Sequence, residues 1–170
     1  MKKFVFLLFF LLSALLFANT GDVEKEIPCP GSYLTGLTFD GKHIWGVDRK
    51  TDKLYQVSLE DGKILKTFTA PGYFATGMAW DGEHLWMSDI DFTNTSTESY
   101  SGKIYQICPE TGKTLHMIHT PGADPMGLAW DGKYLWVSDN SDDMIYQISA
   151  NDGTTIHSFK APANNPGGMT

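Results

Sequence analysis

The sequence has few of the residues that mark disulfide-rich or zinc-binding proteins. It contains two cysteines, Cys29 and Cys108, and no Cys/His spacing typical of a zinc site. The internal repeat described below places the two cysteines in different repeats and at opposite ends of their strands. A disulfide needs Cα atoms within about 7 Å of each other. We therefore expect two free thiols.

Positive charge is also scarce. The chain has 13 Lys and Arg against 20 Asp and Glu, which gives a formal net charge of −7. Proteins that bind nucleic acids or anionic membrane surfaces rely on clustered Lys and Arg. Because acidic residues outnumber basic ones and are spread along the chain, we expect neither partner.

Only one long apolar run is present, and it lies at the amino terminus. Lys2 and Lys3 precede the run Phe4–Phe17, which only Ser13 interrupts, and Ala18 follows it. This layout predicts a signal peptide over residues 1–18, and hence a secreted or periplasmic protein. A membrane anchor is the alternative, but a bilayer span needs about 20 apolar residues. No stable membrane span is expected after cleavage.

A repeated unit fills the remaining sequence. Gly77–Asp89 and Gly127–Asp139 share the pattern Gly-x-Ala-Trp-Asp-Gly-x-x-Leu-Trp-x-Ser-Asp, Gly36–Asp48 is a looser copy, and Gly168 starts a further one. The first two copies begin 41 residues apart and the next two begin 50 apart. The second repeat therefore carries nine extra residues, which we predict to form a loop over 90–101.

Each repeat predicts four short strands. In the second repeat, Asp81-Gly82 indicates a two-residue hairpin between the first two strands. Four antiparallel strands every 41 residues or so, with a Trp in each copy, are typical of a β-propeller blade. A β-sandwich gives no reason for such faithful repetition, and no 3.6-residue periodicity indicates a helical solenoid. We predict an all-β propeller with four-stranded antiparallel blades.

The alignment of the repeats divides residues 19–170. Residues 23–31 align without gaps on 64–72, so the segment 22–30 is predicted to be an orphan outer strand. Three blades cannot close a ring of four to eight. We expect a fragment of a larger propeller or, less favoured, closure through a second copy, with self-association through open blade faces. The predicted blades cover 31–71, 72–121 and 122–162, and 163–170 starts a fourth.

Candidate functional residues lie on the face that holds the mouth of the axial channel. The repeated aspartates Asp48, Asp89 and Asp139 end the second strands there. Asp89 and Asp139 suggest a weak Ca²⁺ site, but the favoured interpretation is that each repeated Asp caps a turn. The inserted loop breaks the symmetry on the same face, and function usually resides in such loops. The candidate binding residues are Asp48, Asp89, Asp91, Phe92, Glu98, Tyr100, Asp139 and Asp142.

The blade pattern resembles that of known propeller families. Gly-Leu-Ala-Trp-Asp-Gly-x-x-Leu-Trp-Val-Ser-Asp, followed by Ile-Tyr-Gln-Ile and a Thr-Gly turn, resembles exported bacterial propellers of the YVTN, NHL and streptogramin-lyase-like group. It is also similar to glutaminyl cyclotransferase-type propellers. The resemblance covers residues 23–170 and rests on blade-forming positions, so it implies fold rather than activity.

No catalytic residue follows from that resemblance. The cyclotransferase pattern of an acidic residue with Ser and Gly after the second strand is not met, and the lyase histidines have no counterpart. The sequence also lacks a nucleophile elbow and a phosphate-binding loop. Two functions stay open: a secreted or periplasmic binding scaffold for a protein or small molecule, and a propeller enzyme of the lyase, lactonase or glutaminyl cyclotransferase kind.

Overall fold

A computed structural model describes residues 23–92 and 101–169, which form three separate four-stranded antiparallel sheets. In each sheet the strands follow chain order, so each strand pairs with the next one. The described residues contain no helix, and hence none that could cross a membrane. The predicted signal peptide over 1–18 lies outside them. The strands are β1 Leu34–Phe39, β2 His43–Asp48, β3 Lys53–Ser58, β4 Ile64–Thr69, β5 Ala75–Trp80, β6 Leu85–Asp91, β7 Ser101–Ile107, β8 Thr114–His119, β9 Pro125–Trp130, β10 Leu135–Asp139, β11 Met144–Ile148 and β12 Thr155–Lys160.

The sheets stack as successive blades, which confirms the predicted incomplete propeller. We name them blade 1 (β1–β4), blade 2 (β5–β8) and blade 3 (β9–β12). One buried cluster lies at boundary 1–2, between blades 1 and 2, around Trp45, Leu54 and Met87. A second lies at boundary 2–3, between blades 2 and 3, around Trp86, Ile104 and Leu128. The middle strands are apolar on both faces because each blade of this arc packs against its neighbours.

The repeated glycine near the start of each blade allows the innermost strands to approach closely. A Cβ on Gly77 would lie 2.5 Å from the carbonyl oxygen of Met126 in the next blade, a distance that no real side chain tolerates. At the carboxyl end, a Cβ on Gly127 would lie 2.5 Å from the oxygen of Gly167. The segment around Gly167 therefore occupies the first-strand position of a fourth blade, although it forms no strand.

The prediction of a two-residue hairpin at Asp81-Gly82 is wrong. Residues 81–84 connect β5 and β6, because the carboxylate of Asp81 organises a longer turn. Its Oδ1 accepts hydrogen bonds from the backbone N–H groups of Glu83 and His84, at 2.8 and 2.6 Å. Its Oδ2 accepts one from the indole Nε1 of Trp86 at 2.7 Å. Asp40 and Asp131 hold Trp45 and Trp136 in the same way.

The orphan outer strand predicted over 22–30 is also wrong as secondary structure, since residues 23–29 form no strand. A strand needs a hydrogen-bonded neighbour, and no described sheet edge lies beside this segment. Its position is nevertheless that of an outer strand. Lys25 Nζ donates to the carbonyl of Glu60 at 2.6 Å, as Lys66 on β4 donates to the carbonyl of Pro109 at 3.1 Å. The segment thus takes the place of the fourth strand of a blade preceding blade 1.

Both end blades keep apolar side chains at the surface. Leu37 and Phe39 of blade 1 are 60% and 51% exposed, and Phe159 of blade 3 is 42% exposed. The corresponding positions of blade 2 are Met78, Trp80 and Ile118, which pack against a neighbouring blade. Self-association through these open faces stays a prediction.

The loop predicted over 90–101 is shorter than expected. Strand β6 continues to Asp91 and β7 begins at Ser101, with Ile90 opposite Gly102 and Asp91 opposite Ser101. In blade 1, by contrast, β2 ends at Asp48, because a tight turn follows it directly. The nine extra residues replace that turn in blade 2, so the ladder extends. Residues 93–100 lie outside the described residues.

Candidate functional site

The connections after β2, β6 and β10 meet the segments that enter each blade on one face, as the sequence indicates. We name this face the rim. The entering segments donate backbone hydrogen bonds to the three repeated aspartates: Tyr33 to Asp48 at 2.7 Å, Phe74 to Asp89 at 2.7 Å and Asp124 to Asp139 at 3.0 Å. All three carboxylates are buried. They therefore fix the entry of the chain into each blade.

Two of these aspartates are fully occupied by such structural bonds. Asp48 also accepts the backbone N–H groups of Lys50 and Thr51, both at 2.9 Å. Burial alone would raise the pKa of Asp48, but the bonds from Tyr33, Thr51 and Lys50 outweigh it and hold the pKa below its ordinary value. Asp139 likewise accepts the backbone N–H of Ser141 at 2.9 Å and the hydroxyl of the same residue.

Asp89 differs because the insertion in blade 2 replaces the kind of tight turn that Asp48 caps in blade 1. The amides after Asp89 belong to the extended β6–β7 ladder instead. Burial raises the pKa of Asp89 to about 6; the bond from Phe74 opposes this shift, and the charge of Asp91 adds to it. Asp91 forms an ion pair with Lys103, with 2.5 Å between Oδ2 and Nζ.

The rim aspartates do not assemble into a metal site. Across residues 23–92 and 101–169, no group of three or more His, Cys, Asp or Glu side chains is placed to hold a metal ion. Asp89 and Asp139, the weak Ca²⁺ candidates, each bond to the backbone of their own blade. Asp142, a further candidate, accepts bonds from the hydroxyl of Tyr146 and the amide of Met144. Cys29 and Cys108 are free thiols.

A groove opens at the rim end of boundary 2–3. Its volume is about 390 Å³. Phe92 packs edge-on against Phe74, with ring centroids 4.9 Å apart, and remains 45% exposed. Burial raises the pKa of Asp124, and the charge of Asp139 raises it further. We name this feature the rim groove; it is lined by Phe74, Ile90, Phe92, Ala123, Asp124 and Ser141.

In the described part of the chain, an arginine lies across the rim end of boundary 1–2. The guanidinium of Arg49 lies 4.6 Å from the ring centre of Tyr33 and 4.2 Å from that of Phe74. Its backbone N–H donates to the carbonyl of Tyr33 at 3.1 Å. Ile90 and Asn140 occupy the same repeat position in the other blades. This repeat position therefore holds a cation in blade 1 and a neutral residue in blades 2 and 3. That difference is visible in the aligned repeats and could have indicated the groove.

The residues predicted to form the site therefore have different environments in the structure. Asp48, Asp89 and Asp139 are buried and hold the backbone, and Asp91 and Asp142 are engaged by Lys103 and Tyr146. Among the predicted residues that the structure describes, Phe92 lines the rim groove. Glu98 and Tyr100 lie outside the described residues. Sequence reasoning missed Phe74 and Ala123, since both lie in the segments that connect one blade to the next.

The comparisons with known proteins support the fold. No family model matches the chain, and neither does any curated protein. Among solved structures it is similar to the computationally designed Ika4 protein, with 12% identity, a TM-score of 0.58 and 85% of this chain and 83% of that chain covered. It is also similar to the WD40 domain of Toxoplasma gondii coronin, with 12% identity, a TM-score of 0.58 and coverage of 77% and 36%.

A third similar structure is the hydrazine synthase of Kuenenia stuttgartiensis, with 16% identity, a TM-score of 0.57 and 89% of this chain covered. The chain spans 41% of the length of that protein, and so less than half of it, as it does for the coronin domain. At these identities the likeness shows a propeller-like arrangement of blades and nothing about activity.

Proposed function

We propose that this chain belongs to a secreted or periplasmic binding protein that holds a peptide or a small molecule in the rim groove. The observation that carries the proposal is the departure from the repeat at boundary 2–3. Repeated residues on the rim are buried and bonded to backbone. The groove, in contrast, is lined by side chains that differ from blade to blade, and binding surfaces commonly use such irregular positions on a regular scaffold.

The chemistry of the rim groove favours an apolar ligand group that carries a hydrogen-bond donor. Phe74 and Phe92 present ring surface, and Ile90 and Ala123 complete an apolar wall. The carboxylate of Asp124 lies at the edge of the groove and can accept a hydrogen bond from the ligand. The backbone N–H of Asp124 already donates to Asp139. Apolar pockets with a few placed polar groups are typical ligand sites. An aromatic or branched side chain of a peptide, next to its own backbone N–H, fits these surroundings.

One observation favours an enzyme as the second candidate. Asp89 has a pKa near 6, which suits a residue that carries protons at neutral pH. However, its side chain is buried at 3% exposure and its Oδ1 is held by the backbone of Phe74. A lyase, lactonase or cyclotransferase reaction needs an acid or base that touches the substrate. The binding function is therefore the better supported.

The test uses random peptides displayed on phage as the probe. Peptides are selected on the immobilised protein, resynthesised, and titrated by calorimetry against the wild type, Phe92→Ala and Phe159→Ala. The two phenylalanines form a matched pair, since they are 45% and 42% exposed. Phe92→Ala is expected to weaken binding about tenfold or more, as expected for an aromatic contact in a binding pocket. Phe159→Ala is expected to leave binding unchanged.

Either of two results would overturn the proposal. One is a selection that yields no peptide with measurable affinity. The other is a set of peptides whose affinity is equally reduced by Phe92→Ala and Phe159→Ala, or by neither. Circular dichroism of both variants serves as the folding control.

A further inference from the structure

A second cavity lies at boundary 2–3, on the face opposite the rim. Its volume is about 450 Å³, within the range of sites for small ligands. It combines two indole rings with a carboxylate, an amide and an imidazole. We name it the opposite-face cavity; its lining residues are Asp81, Trp86, Gln106, His116, Trp130, Ala150 and Asn151.

The equivalent place at boundary 1–2 is occupied by the side chain of Lys66. Its Nζ donates to the carbonyl of Pro109 at 3.1 Å and to Oε2 of Glu110 at 2.7 Å. The same ammonium lies 6.0 Å from the ring centre of Trp45. Boundary 1–2 therefore shows which group fits this place. It is an ammonium group at the end of an apolar stem, between a Trp ring and oxygen acceptors.

At boundary 2–3 no lysine side chain fills the equivalent place, because two residues differ from those at boundary 1–2. His116 stands at the repeat position of Lys66, and its shorter side chain donates from Nε2 to the carbonyl of Asn151 at 2.8 Å. Ala150 stands at the position of Pro109 and takes up less space. Trp86 remains where Trp45 stands in blade 1. The result is an open cavity with the surroundings of an ammonium site.

The polar groups that remain in the cavity suit a cation. Gln56 contacts His43 at 3.2 Å and Gln147 donates to Asp131 at 2.9 Å. In the part of the chain that the structure describes, the amide of Gln106 at the same repeat position makes no such bond. Burial alone would raise the pKa of Asp81. Bonds from the His84 amide and the Trp86 indole outweigh this and hold the pKa low, so the carboxylate is negatively charged at neutral pH.

We propose that the opposite-face cavity binds a primary alkylammonium group, such as the end of a lysine side chain, in the manner in which boundary 1–2 holds Lys66. The apolar stem lies against Trp130 and Ala150. The ammonium lies near the ring of Trp86 and donates to Asp81, the Gln106 amide oxygen and the Ala150 carbonyl. This site is separate from the rim groove, so its failure would leave the proposed function untouched.

The experiment follows the indole N–H signals of Trp86 and Trp130 by NMR during titration with Nα-acetyl-lysine N-methylamide. The norleucine analogue, which has the same stem without the ammonium, is the matched probe. The lysine probe is expected to shift both signals, with affinity about tenfold higher than that of the norleucine probe, as expected for a cation–π contact and charge-assisted hydrogen bonds.

Two variants use the repeat as an internal control. His116→Lys places a lysine in the cavity, as at boundary 1–2, and is expected to reduce binding of the probe at least about tenfold by occupying the site. Lys66→His is expected to open the equivalent place and add a second site, seen as new shifts of the Trp45 indole. Thermal unfolding of each variant confirms that it folds.

The proposal is overturned if the lysine probe leaves both indole signals unchanged, or if the norleucine probe binds equally well. It is also overturned if folded His116→Lys protein binds the lysine probe as the wild type does.

Discussion

The two boundaries between blades share one architecture but differ at both ends. Boundary 1–2 is closed at the rim by Arg49, between the rings of Tyr33 and Phe74, and at the opposite face by Lys66, bonded to Pro109 and Glu110. Boundary 2–3 has the rim groove at one end and the opposite-face cavity at the other. Between these ends, both boundaries pack a Trp and aliphatic side chains in a buried cluster.

This difference separates two kinds of position in the repeat. Residues that recur in every blade, such as Trp45 with Asp40, hold a blade together and join it to its neighbour. Residues that change between blades decide whether the ends of a boundary are closed or open. A long cation closes an end, and a shorter or neutral side chain at the same position opens it. Ligand binding is therefore expected at boundary 2–3 rather than at boundary 1–2.

The largest expected effect comes from removing the turn cap at the rim end of blade 1. Asp48→Ala removes a buried carboxylate that accepts three backbone N–H groups, so the free energy of unfolding should fall by about 3 kcal/mol. Urea denaturation measures it. Asp61→Ala, on the exposed turn between β3 and β4, is the control and should change stability far less, because its carboxylate and its partner Lys63 are open to solvent. A similar loss in both variants would show that Asp48 is not a cap.

Asp89 should respond to pH in the opposite sense from a capped aspartate. Its pKa is about 6 in the folded chain against an ordinary value of 3.8, so between these values the folded state holds a proton that the unfolded state has lost. Stability from this group is complete below pH 3.8 and disappears as pH rises through 6.

Between pH 4.5 and 7.5 the free energy of unfolding should therefore fall by about 2 kcal/mol more in the wild type than in Asp89→Asn, which cannot titrate. Urea denaturation at the two pH values measures the difference. An equal pH dependence in both proteins would mean that Asp89 is ionised throughout, as Asp48 is.

The third effect concerns the closure at the rim. Arg49→Ala removes two ring contacts of one guanidinium and should cost about 1 to 2 kcal/mol. Lys50→Ala, the exposed neighbour, is the matched control and should be neutral within about 0.5 kcal/mol. In thermal unfolding the two variants should differ clearly; if they unfold together, Arg49 does not join blades 1 and 2.

The smallest effect is expected at the opposite face. Lys66→Ala removes an ion pair with the exposed Glu110, and such pairs contribute less than about 1 kcal/mol. His116→Ala removes one exposed hydrogen bond to Asn151 and should cost less still. A larger loss for His116→Ala, by urea denaturation, would contradict the view that only boundary 1–2 is closed at this face.

The sequence predicted the features that recur. The spacing of Gly36, Gly77 and Gly127 defined the repeat, and the interpretation of the repeated Asp as a turn cap is confirmed for Asp48 and Asp139 but not for Asp89. The alignment of residues 23–31 on 64–72 predicted where the first segment lies, although not that it forms no strand. Such positions are predictable because every copy imposes the same backbone hydrogen bonds and the same packing.

The sequence did not predict the ends of the boundaries. Lys66 and His116 lie on outer strands, and their partners in the next blade are 35 to 44 residues away in the chain. Asp40, Asp81 and Asp131 looked like turn residues only, although each also holds a Trp indole. The extension of β6 to Asp91 was not predicted, because strands pair beyond Asp89 only where the insertion has replaced the tight turn. These features arise from contacts between blades, which no local pattern records.

Mapping a bound peptide onto the molecule shows directly which boundary between blades binds it. A phage-selected peptide is titrated into the isotope-labelled chain, and the backbone amide shifts are followed by NMR. The largest shifts are expected on Phe74, Phe92 and Ala123, which line the rim groove, with little change on Leu37 and Phe39 of blade 1. Largest shifts on Leu37 and Phe39, at the open face of blade 1, would contradict this expectation.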